Sequence, residues 1–497
     1  MLIRIIFISL STLIFPTQTF SQFITKDKAL DDLKEFQLLL EKQSSYYQIS
    51  EFDFEQAYLN TKRKLSQQDS IPIYVLAFEL EKLISNIIDR HANIRMDDFE
   101  EDDYELFNLH LPFTVSYFQD KIYALNYNRS TKQYDYYNTA HPIVKEIDGI
   151  NVKEFLKSNA YTRKLSPKRA RQLDELKDLR DIGEFYFKQG RNSVKDIKIT
   201  LTNEKSDTTL TLPLSERRNW YFELGSTSFN RKYRDFGRDE KFDLSTLDKW
   251  LPDSIAYLAI PSMESYEDIP DLEAYLMNTI EKYNDAKALI VDIRGNSGGT
   301  REILNTLSSY FVPVEQSPWV ANVAYVRSDQ FLDEDISSMQ GRFLYNYNSD
   351  AFTESDREAI DSFNNIFQPK YFVDQNKFSK PFYMVLHSKN PISCPIYILV
   401  NEECFSAASV FASAFKGLNS LQIVGVTTNG SSGRSRKFYL KNSNIRVKLS
   451  TMLSFQRNGK TLDGNGTVPD IIIERDENQM LRKGDSQLQK LIDIINQ

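Results

Sequence analysis

The chain has 497 residues, of which 41% are hydrophobic and 13% aromatic, and its formal net charge is -8 at pH 7. This length and composition indicate a globular protein of roughly three structural units and exclude an intrinsically disordered chain. Nucleic-acid binding requires a basic surface, so the acidic balance argues against a nucleic-acid partner.

Residues 1–21 have the pattern of a secretory signal peptide. Arg4 precedes an apolar stretch from Ile5 to Phe15, and small residues stand where a signal peptidase would require them for cleavage before Gln22. The apolar stretch is too short to cross a bilayer, and no later run of about 20 apolar residues follows it. We therefore expect an exported protein, periplasmic or secreted, with no membrane span.

Residues 22–105 are predicted to form an N-terminal helical domain. Apolar residues recur at helical spacing over residues 27–43 and again from Val75 to Ile88. The second helix is predicted to end near Asp89, so that the domain would present His91 at the helix tip.

Residues 106–214 carry short strand-like stretches separated by turn residues. The segment from Ile143 to Phe155 reads as a strand, a turn at Asp148 and Gly149, a second strand and the start of a helix. A small β-rich binding module accounts for this pattern.

Residues 215–475 are predicted to form an α/β core, because the pattern from Ser254 onward alternates strand, helix and strand. An insertion at residues 313–389 is rich in Asn, Asp, Ser and aromatic residues and could form a lid or the wall of a specificity pocket. Residues 476–497 are predicted to form a C-terminal helix.

Two turns of small residues follow apolar runs in this core and suggest chemistry. In PIYILVNEECFSAASVF, Ser406 stands where a helix begins, which would place its hydroxyl beside backbone N–H groups that no helical turn satisfies. In ALIVDIRGNSGGT, Gly298 and Gly299 allow the backbone to approach a ligand closely. The first turn suits a nucleophile and the second an oxyanion site.

The two cysteines, Cys394 and Cys404, are expected to be free or buried thiols. An extended segment of about 3.3 Å per residue separates them and leaves too few residues to return to bridging distance. Because Cys404 lies in the same turn as Ser406, it is an alternative nucleophile.

No cofactor is implied by these motifs. The acidic run from Asp97 to Asp103 lacks the ligand spacing and central glycine of a calcium loop, so a solvated loop is favoured over a metal site. The glycine turn at residues 295–299 lacks the spacing of a dinucleotide-binding fingerprint.

Four motifs in order, DIRGNSGG, SAAS, IVGVTTNG and DGNGTVPDI, resemble those of the tail-specific, or carboxyl-terminal processing, serine proteases. That family includes the tricorn core protease and the interphotoreceptor retinoid-binding repeats. IVKEIDGINV resembles the second half of a PDZ domain, and IIDRHANI resembles an element of the family's histidine-using branch. The resemblance implies a ClpP/crotonase-like α/β protease core with an N-terminal helical cap and a PDZ-like module.

The resemblance also assigns residues. Ser406 matches the family nucleophile, whereas Ser431 stands at the place of the lysine base that one branch uses. The base is therefore expected to be His91, which has a suitable intrinsic pKa, with Asp463 as the orienting acid. Asp463 stands where the tricorn-like branch carries a glutamate.

The expected oxyanion donors are the N–H of Ala407 and the N–H of Gly298 or Gly299. The resulting expectation is an exported serine endopeptidase that acts on protein or peptide substrates through an acyl-enzyme. Two alternatives remain: a catalytically inactive ligand- or peptide-binding protein on the same fold, and an esterase or amidase that uses the same triad. No sequence pattern specifies an oligomeric state.

Overall fold

The structure is a computed structural model that describes residues 23–97, 105–158, 165–191, 193–222, 243–327 and 333–497. The predicted signal peptide and most of the acidic run, residues 98–103, lie outside the described residues. The described part is a mixed α/β protein with several sheets.

The helices, named in chain order, are α1 (Lys26–Gln43), α2 (Phe54–Leu65), α3 (Ile73–Ile84), α4 (Val152–Lys157), α5 (Lys168–Arg180), α6 (Ile182–Lys188), α7 (Leu272–Lys282), α8 (Glu302–Phe311), α9 (Asp333–Gln340), α10 (Glu354–Asn364), α11 (Ala407–Phe415), α12 (Glu477–Met480) and α13 (Ser486–Asn496).

The strands are β1 (Phe23–Thr25), β2 (Ser70–Pro72), β3 (Asn93–Arg95), β4 (Thr114–Phe118), β5 (Lys121–Asn128), β6 (Gln133–Tyr136), β7 (Ile143–Ile147), β8 (Ile150–Asn151), β9 (Asp196–Thr202), β10 (Asp207–Pro213), β11 (Asp248–Leu251), β12 (Ile255–Ala259), β13 (Ala288–Asp292), β14 (Trp319–Val326), β15 (Tyr345–Asn346), β16 (Phe382–Leu386), β17 (Ile396–Val400), β18 (Leu421–Gly425), β19 (Ser435–Tyr439), β20 (Arg446–Ser450), β21 (Met452–Gln456) and β22 (Ile471–Ile472).

The N-terminal segment is helical, with two differences from the sequence prediction. Helix α2 was missed because its sequence is mostly polar; Asp53 caps it by accepting a hydrogen bond from the Gln56 N–H. Helix α3 ends at Ile84, so His91 lies in the loop before β3 rather than at a helix tip.

The N-terminal helices share one hydrophobic core with strands from the far end of the chain. Buried residues of α1 and α3, such as Phe36 and Leu80, belong to the same apolar cluster as Val447, Leu449 and Phe455. Strand β3 also pairs antiparallel with β20 and extends the β19–β20 hairpin to three strands. This segment is therefore packed against the carboxyl-terminal strands and has no separate core.

The middle segment has its own core. Strands β10, β9, β7, β5 and β4 form an antiparallel sheet in that order, onto which β6 and β8 add at β5 and β7. Helices α4, α5 and α6 contribute buried residues such as Phe155, Leu179 and Tyr186 to its apolar cluster. The predicted turn between β7 and β8 is present, with positive φ at both Asp148 and Gly149.

The main sheet has the order β11-β12-β13-β17-β18-β22 and is parallel except for β11. The predicted strand, helix and strand from Ser254 are β12, α7 and β13. Because β13, β17 and β18 are adjacent and parallel, their carboxyl ends lie side by side, which is where α/β sheets generally bind ligands.

The insertion at residues 313–389 is ordered where the structure describes it. Strands β14, β15 and β16 form a second sheet with β21, in the order β15-β16-β14-β21, and α9 and α10 lie between its strands in sequence. Strands β14 and β16 are buried along almost their whole length, because their sequences, WVANVAYV and FYMVL, are mostly apolar.

The C-terminal helix α13 is tied to the glycine turn by a buried arginine. Arg294 Nη2 lies 2.7 Å from Asp292 Oδ2 and 2.7 Å from Asp485 Oδ2, and Asp485 caps α13. The Arg294 side chain is 1% exposed. No helix in the described ranges combines the length and apolar character needed to cross a membrane.

We predict that Arg294→Gln lowers the free energy of unfolding by about 3–5 kcal/mol, because it leaves two carboxylates facing each other without a cation. The measurement is the urea midpoint followed by circular dichroism. Arg129→Gln, at an exposed position, is the matched control. Equal midpoints for the two variants would contradict the prediction.

Candidate active site

Ser406 lies at a strained turn between β17 and α11. Its backbone has φ 52° and ψ -122°, a conformation that costs a residue with a side chain about 1–3 kcal/mol. Strained strand-to-helix turns of this kind expose a nucleophilic hydroxyl at the end of a sheet. The turn supports the predicted position of Ser406 at the carboxyl end of a core strand.

Backbone and side-chain groups from neighbouring loops hold this turn. The Phe405 N–H donates to the Asn296 carbonyl at 3.0 Å, and the Ser406 N–H donates to Ser431 Oγ at 2.6 Å. Ser431 is fully buried. The residue at the expected lysine position therefore supports the turn by accepting a hydrogen bond from it.

His91 lies beside Ser406, as the sequence resemblance implied. Its Nε2 is 3.3 Å from Ser406 Oγ, although 315 residues separate them in the chain. The ring of Phe405 packs on the imidazole, with ring centroids 4.7 Å apart. The pairing of β3 with β20 brings the histidine segment to this position.

Asp89 is a buried acid of the site that the sequence analysis left unassigned. Its Oδ1 accepts the N–H of His91 at 2.8 Å and the N–H of Ala92 at 3.1 Å. Ser450, at the end of β20, donates its N–H to Oδ2 at 2.6 Å and its hydroxyl to Oδ1 at 2.7 Å. The acid two residues before the histidine, in the quoted IIDRHANI, was the available signal.

Asp463 is fully buried next to Asp89. Its carboxylate accepts the Arg90 N–H at 3.1 Å and the hydroxyls of Tyr46 at 2.9 Å and Ser432 at 2.7 Å. Burial and the negative charge of Asp89 raise the pKa of Asp463 to about 7. Asp463 is therefore harder to ionise than an exposed aspartate.

The carboxylates of Asp89 and Asp463 and a ring nitrogen of His91 lie within 4.8 Å of one another. Two acids and a histidine could together hold a metal ion. Both carboxylates, however, already accept several hydrogen bonds from the protein. This arrangement suits the orientation and electrostatic support of an imidazole better than it suits metal coordination.

The predicted oxyanion donors differ in their availability. The Gly298 N–H donates to Asn296 Oδ1 at 2.8 Å, so it is already engaged. Among the described residues, no acceptor takes the N–H of Gly299 or that of Ala407. Ala407 is the first residue of α11, where a backbone N–H has no intrahelical partner. Gly299 and Ala407 are thus the better placed pair.

The alternative nucleophile, Cys404, points away from the site. Its thiol is fully buried and donates to the Ile293 carbonyl at 3.1 Å. Burial raises the pKa of the Cys404 thiol well above its usual range, which disfavours the reactive thiolate. Cys394 is also buried and both cysteines are free, as predicted.

Residues 254–473 match the model of Peptidase family S41. The chain is similar in structure to mature CPAF, with a TM-score of 0.63 and 17% identity over 95% of this chain and 98% of that one. A structure of mature CPAF complexed with lactacystin gives a TM-score of 0.61 at the same identity and coverage. A putative peptidase from Parabacteroides merdae is 13% identical over 95% of this chain and 97% of its own, with a TM-score of 0.48.

We predict that Gly298→Ala slows labelling of Ser406 by a fluorophosphonate by about 100-fold, comparable to the loss of an oxyanion donor. A Cβ at Gly298 would lie 2.7 Å from both the Phe405 carbonyl oxygen and Ser406 Cβ, and would displace the turn. Gly149→Ala is the matched control, because Gly149 has φ +80° but no heavy atom within 4 Å of the new Cβ. Similar rates for the two variants would rule out the steric explanation.

We also predict that Asp463→Asn raises Tm above that of the unmodified protein. This increase is expected to be larger at pH 8 than at pH 5. The pKa of Asp463 is about 7 in the folded protein, above its ordinary value of 3.8. At a pH between these two values, the Asp463 carboxyl therefore takes up a proton on folding. The contribution of Asp463 to stability therefore falls as pH rises through this range, and asparagine removes that dependence. Thermal unfolding at both pH values, with the exposed Asp350→Asn as control, measures the effect. A Tm difference that does not change with pH would contradict it.

Proposed function

Because residues 254–473 form a Peptidase family S41 domain and the chain is a serine-type peptidase, we propose that it is an exported endopeptidase that hydrolyses peptide bonds through an acyl-enzyme on Ser406. The observation that carries the proposal is the 3.3 Å separation of His91 Nε2 and Ser406 Oγ at a turn with φ 52°. A serine hydroxyl needs an adjacent base to act as a nucleophile at neutral pH, and His91 is that base.

In the acylation step, Ser406 Oγ attacks the carbonyl carbon of the scissile bond while its proton passes to His91 Nε2. The carbonyl oxygen becomes an oxyanion, which the N–H groups of Ala407 and Gly299 stabilise. As the tetrahedral intermediate collapses, the C–N bond breaks and His91 returns the proton to the leaving amine. A water molecule, deprotonated by His91, then hydrolyses the ester and restores Ser406.

The two buried acids serve the histidine in different ways. Asp89 fixes the His91 backbone through the N–H it accepts at 2.8 Å and links it to β20 through Ser450. Both carboxylates lie within 4.8 Å of a His91 ring nitrogen and favour the imidazolium that forms during attack. Asp463 supports the imidazolium through its negative charge, and Asp89 is the positioning residue.

The remaining parts of the chain fit substrate delivery outside the cytoplasm. Residues 1–21 act as a signal peptide that is removed on export. The core is ClpP/crotonase-like, and the N-terminal helices cover it as a cap. The middle segment, with its separate apolar core and the β7–β8 hairpin, is a PDZ-like module that presents protein or peptide substrate.

A non-catalytic binding protein on the same fold is the second candidate. One observation favours it: no hydrogen bond joins Asp463 to the imidazole, because its carboxylate is engaged by Arg90, Tyr46 and Ser432. In that case the cleft would hold a peptide without cleaving it. An esterase or amidase would use the same residues on small acyl compounds.

The test is labelling of the purified mature protein with a fluorophosphonate, followed by peptide mass spectrometry. We expect label on Ser406, its loss in Ser406→Ala, and a reduction of at least about 100-fold in His91→Ala. His141→Ala is the matched control. His141 lies on the middle segment, where its ring contacts Ser206, and both residues are far from Ser406 in sequence.

Labelled protein that also cleaves an unfolded protein substrate supports the endopeptidase, whereas cleavage of small esters alone supports the esterase. A folded protein without label would favour the binding protein. Label that survives His91→Ala would mean that another group is the base.

A further inference from the structure

A tyrosine of the N-terminal segment reaches the buried acids of the active site. Tyr46 lies in the loop between α1 and α2 and is fully buried. Its hydroxyl donates to Asp463 Oδ2 at 2.9 Å, although 417 residues separate the two in the chain. Tyr46 thereby contacts one of the two acids that lie close to the proposed base, His91.

The loop that carries Tyr46 is fastened to the segments that carry the catalytic groups. The Ser45 N–H donates to the carbonyl of Ser450, at the end of β20, with a distance of 3.0 Å. Ser50 Oγ donates to the Tyr46 carbonyl at 2.6 Å and accepts the Ile88 N–H at 3.0 Å. The position of the tyrosine is therefore fixed relative to β20 and to the segment that leads to the proposed base.

Two hydroxyl groups share one oxygen of Asp463. Ser432 Oγ also donates to Oδ2, at 2.7 Å, and the hydroxyl oxygens of Tyr46 and Ser432 lie 3.3 Å apart. The other carboxylate oxygen, Oδ1, accepts the Arg90 N–H. Burial raises the pKa of the Tyr46 hydroxyl well above its usual range, so this group stays protonated and remains a donor. Asp463 is thus held by three donors, which come from the N-terminal segment, the loop before β3 and the loop before β19.

Burial and a neighbouring charge oppose the ionisation of Asp463. Burial and the negative charge of Asp89 raise the pKa of Asp463, whereas the hydrogen bonds from its three donors act in the opposite direction. The imidazole of His91, which lies in the same loop as Asp89, favours the ionised acid only once it is protonated. The guanidinium of Arg90 pairs with Asp174 on α5. Ionisation of Asp463 therefore depends on its hydrogen bonds.

We propose that Tyr46 is a positioning residue of the reaction, whose hydroxyl holds Asp463 ionised beside the imidazole of His91. Ser432 Oγ shares this role. The inference rests on the proposed function and adds a requirement to it. A hydroxyl that donates to a carboxylate stabilises the charged form of the acid. Without this donor, Asp463 takes up a proton at a higher pH, and the neutral acid no longer supports the imidazolium that forms when Ser406 attacks.

The experiment measures the rate at which a fluorophosphonate labels Ser406 between about pH 6 and pH 9, in the unmodified protein and in Tyr46→Phe. In this reaction Ser406 Oγ forms a bond to phosphorus, the P–F bond breaks, and the serine proton passes to His91. Fluoride leaves without taking a proton from His91. The rate therefore follows the state of the base and of the acid that supports it.

We expect Tyr46→Phe to slow labelling about tenfold at pH 6.5 and to have little effect at pH 9. One hydrogen bond to a charged group corresponds to about a factor of ten in its ionisation equilibrium, so the pH of half-maximal rate rises by about 1. Ser432→Ala removes the second hydroxyl donor and is expected to move that pH in the same direction. If circular dichroism shows that Tyr46→Phe does not fold, Ser432→Ala decides the question.

Tyr186→Phe is the matched control. Tyr186 is also fully buried, and its hydroxyl donates to Asp148 Oδ2 at 2.8 Å in the middle segment. We expect this variant to keep the pH of half-maximal rate of the unmodified protein. The double variant Tyr46→Phe with Asp463→Asn tests whether the tyrosine acts through the acid, because in the Asp463→Asn background we expect the tyrosine change to leave that pH where it is.

A loss of rate that is the same at every pH would give Tyr46 a structural role only and would overturn the inference. An unchanged pH of half-maximal rate in both Tyr46→Phe and Ser432→Ala also overturns it, as does an effect of Tyr46→Phe that persists in the Asp463→Asn background. In each of these cases Ser406 is still labelled, so the proposed function stands. A folded, unmodified protein that takes no label refutes the proposed function, and the role of Tyr46 with it.

Discussion

The candidate site depends on one short strand pairing, β3 with β20. Without it, His91 has no fixed relation to Ser406, which lies 315 residues further along the chain. Three backbone pairs between Asn93–Arg95 and Arg446–Lys448 set the register, and the Asp89 carboxylate continues the link to Ser450. Since Asp89 also accepts the His91 N–H, one buried acid couples the strand pairing directly to the position of the imidazole.

Ser432 connects the buried acids near His91 to the buried Arg301. Asp89 and Asp463 lie close to a ring nitrogen of His91, and Arg301 follows the glycine turn. Ser432 stands between the two groups, with its hydroxyl on Asp463 and its carbonyl on Arg301. A proton that moves to His91 therefore moves toward two buried acids.

The features predicted from sequence are those that local patterns determine. The strands and helix from Ser254, the turn at Ser406 and the β7–β8 hairpin each follow from apolar periodicity and small residues within a few positions. Helix α2 was missed because tertiary packing compensates for its weak apolar pattern. The motif IIDRHANI marks Asp89 two residues before His91, but the role of this acid depends on its contact with Ser450, far away in the chain, which no local pattern specifies.

The apolar core that joins the N-terminal helices to residues 440–455 can be completed only late in synthesis, when those residues have been made. A growing chain emerges from its amino end, and domains generally fold as they become complete. Here His91 is made early, but its partner strand β20 and the acid Asp463 are made only near the end. A partly synthesised chain contains the proposed base, His91, but lacks the strand β20 that positions it. The proposed nucleophile, Ser406, therefore has no adjacent base until the chain is nearly complete.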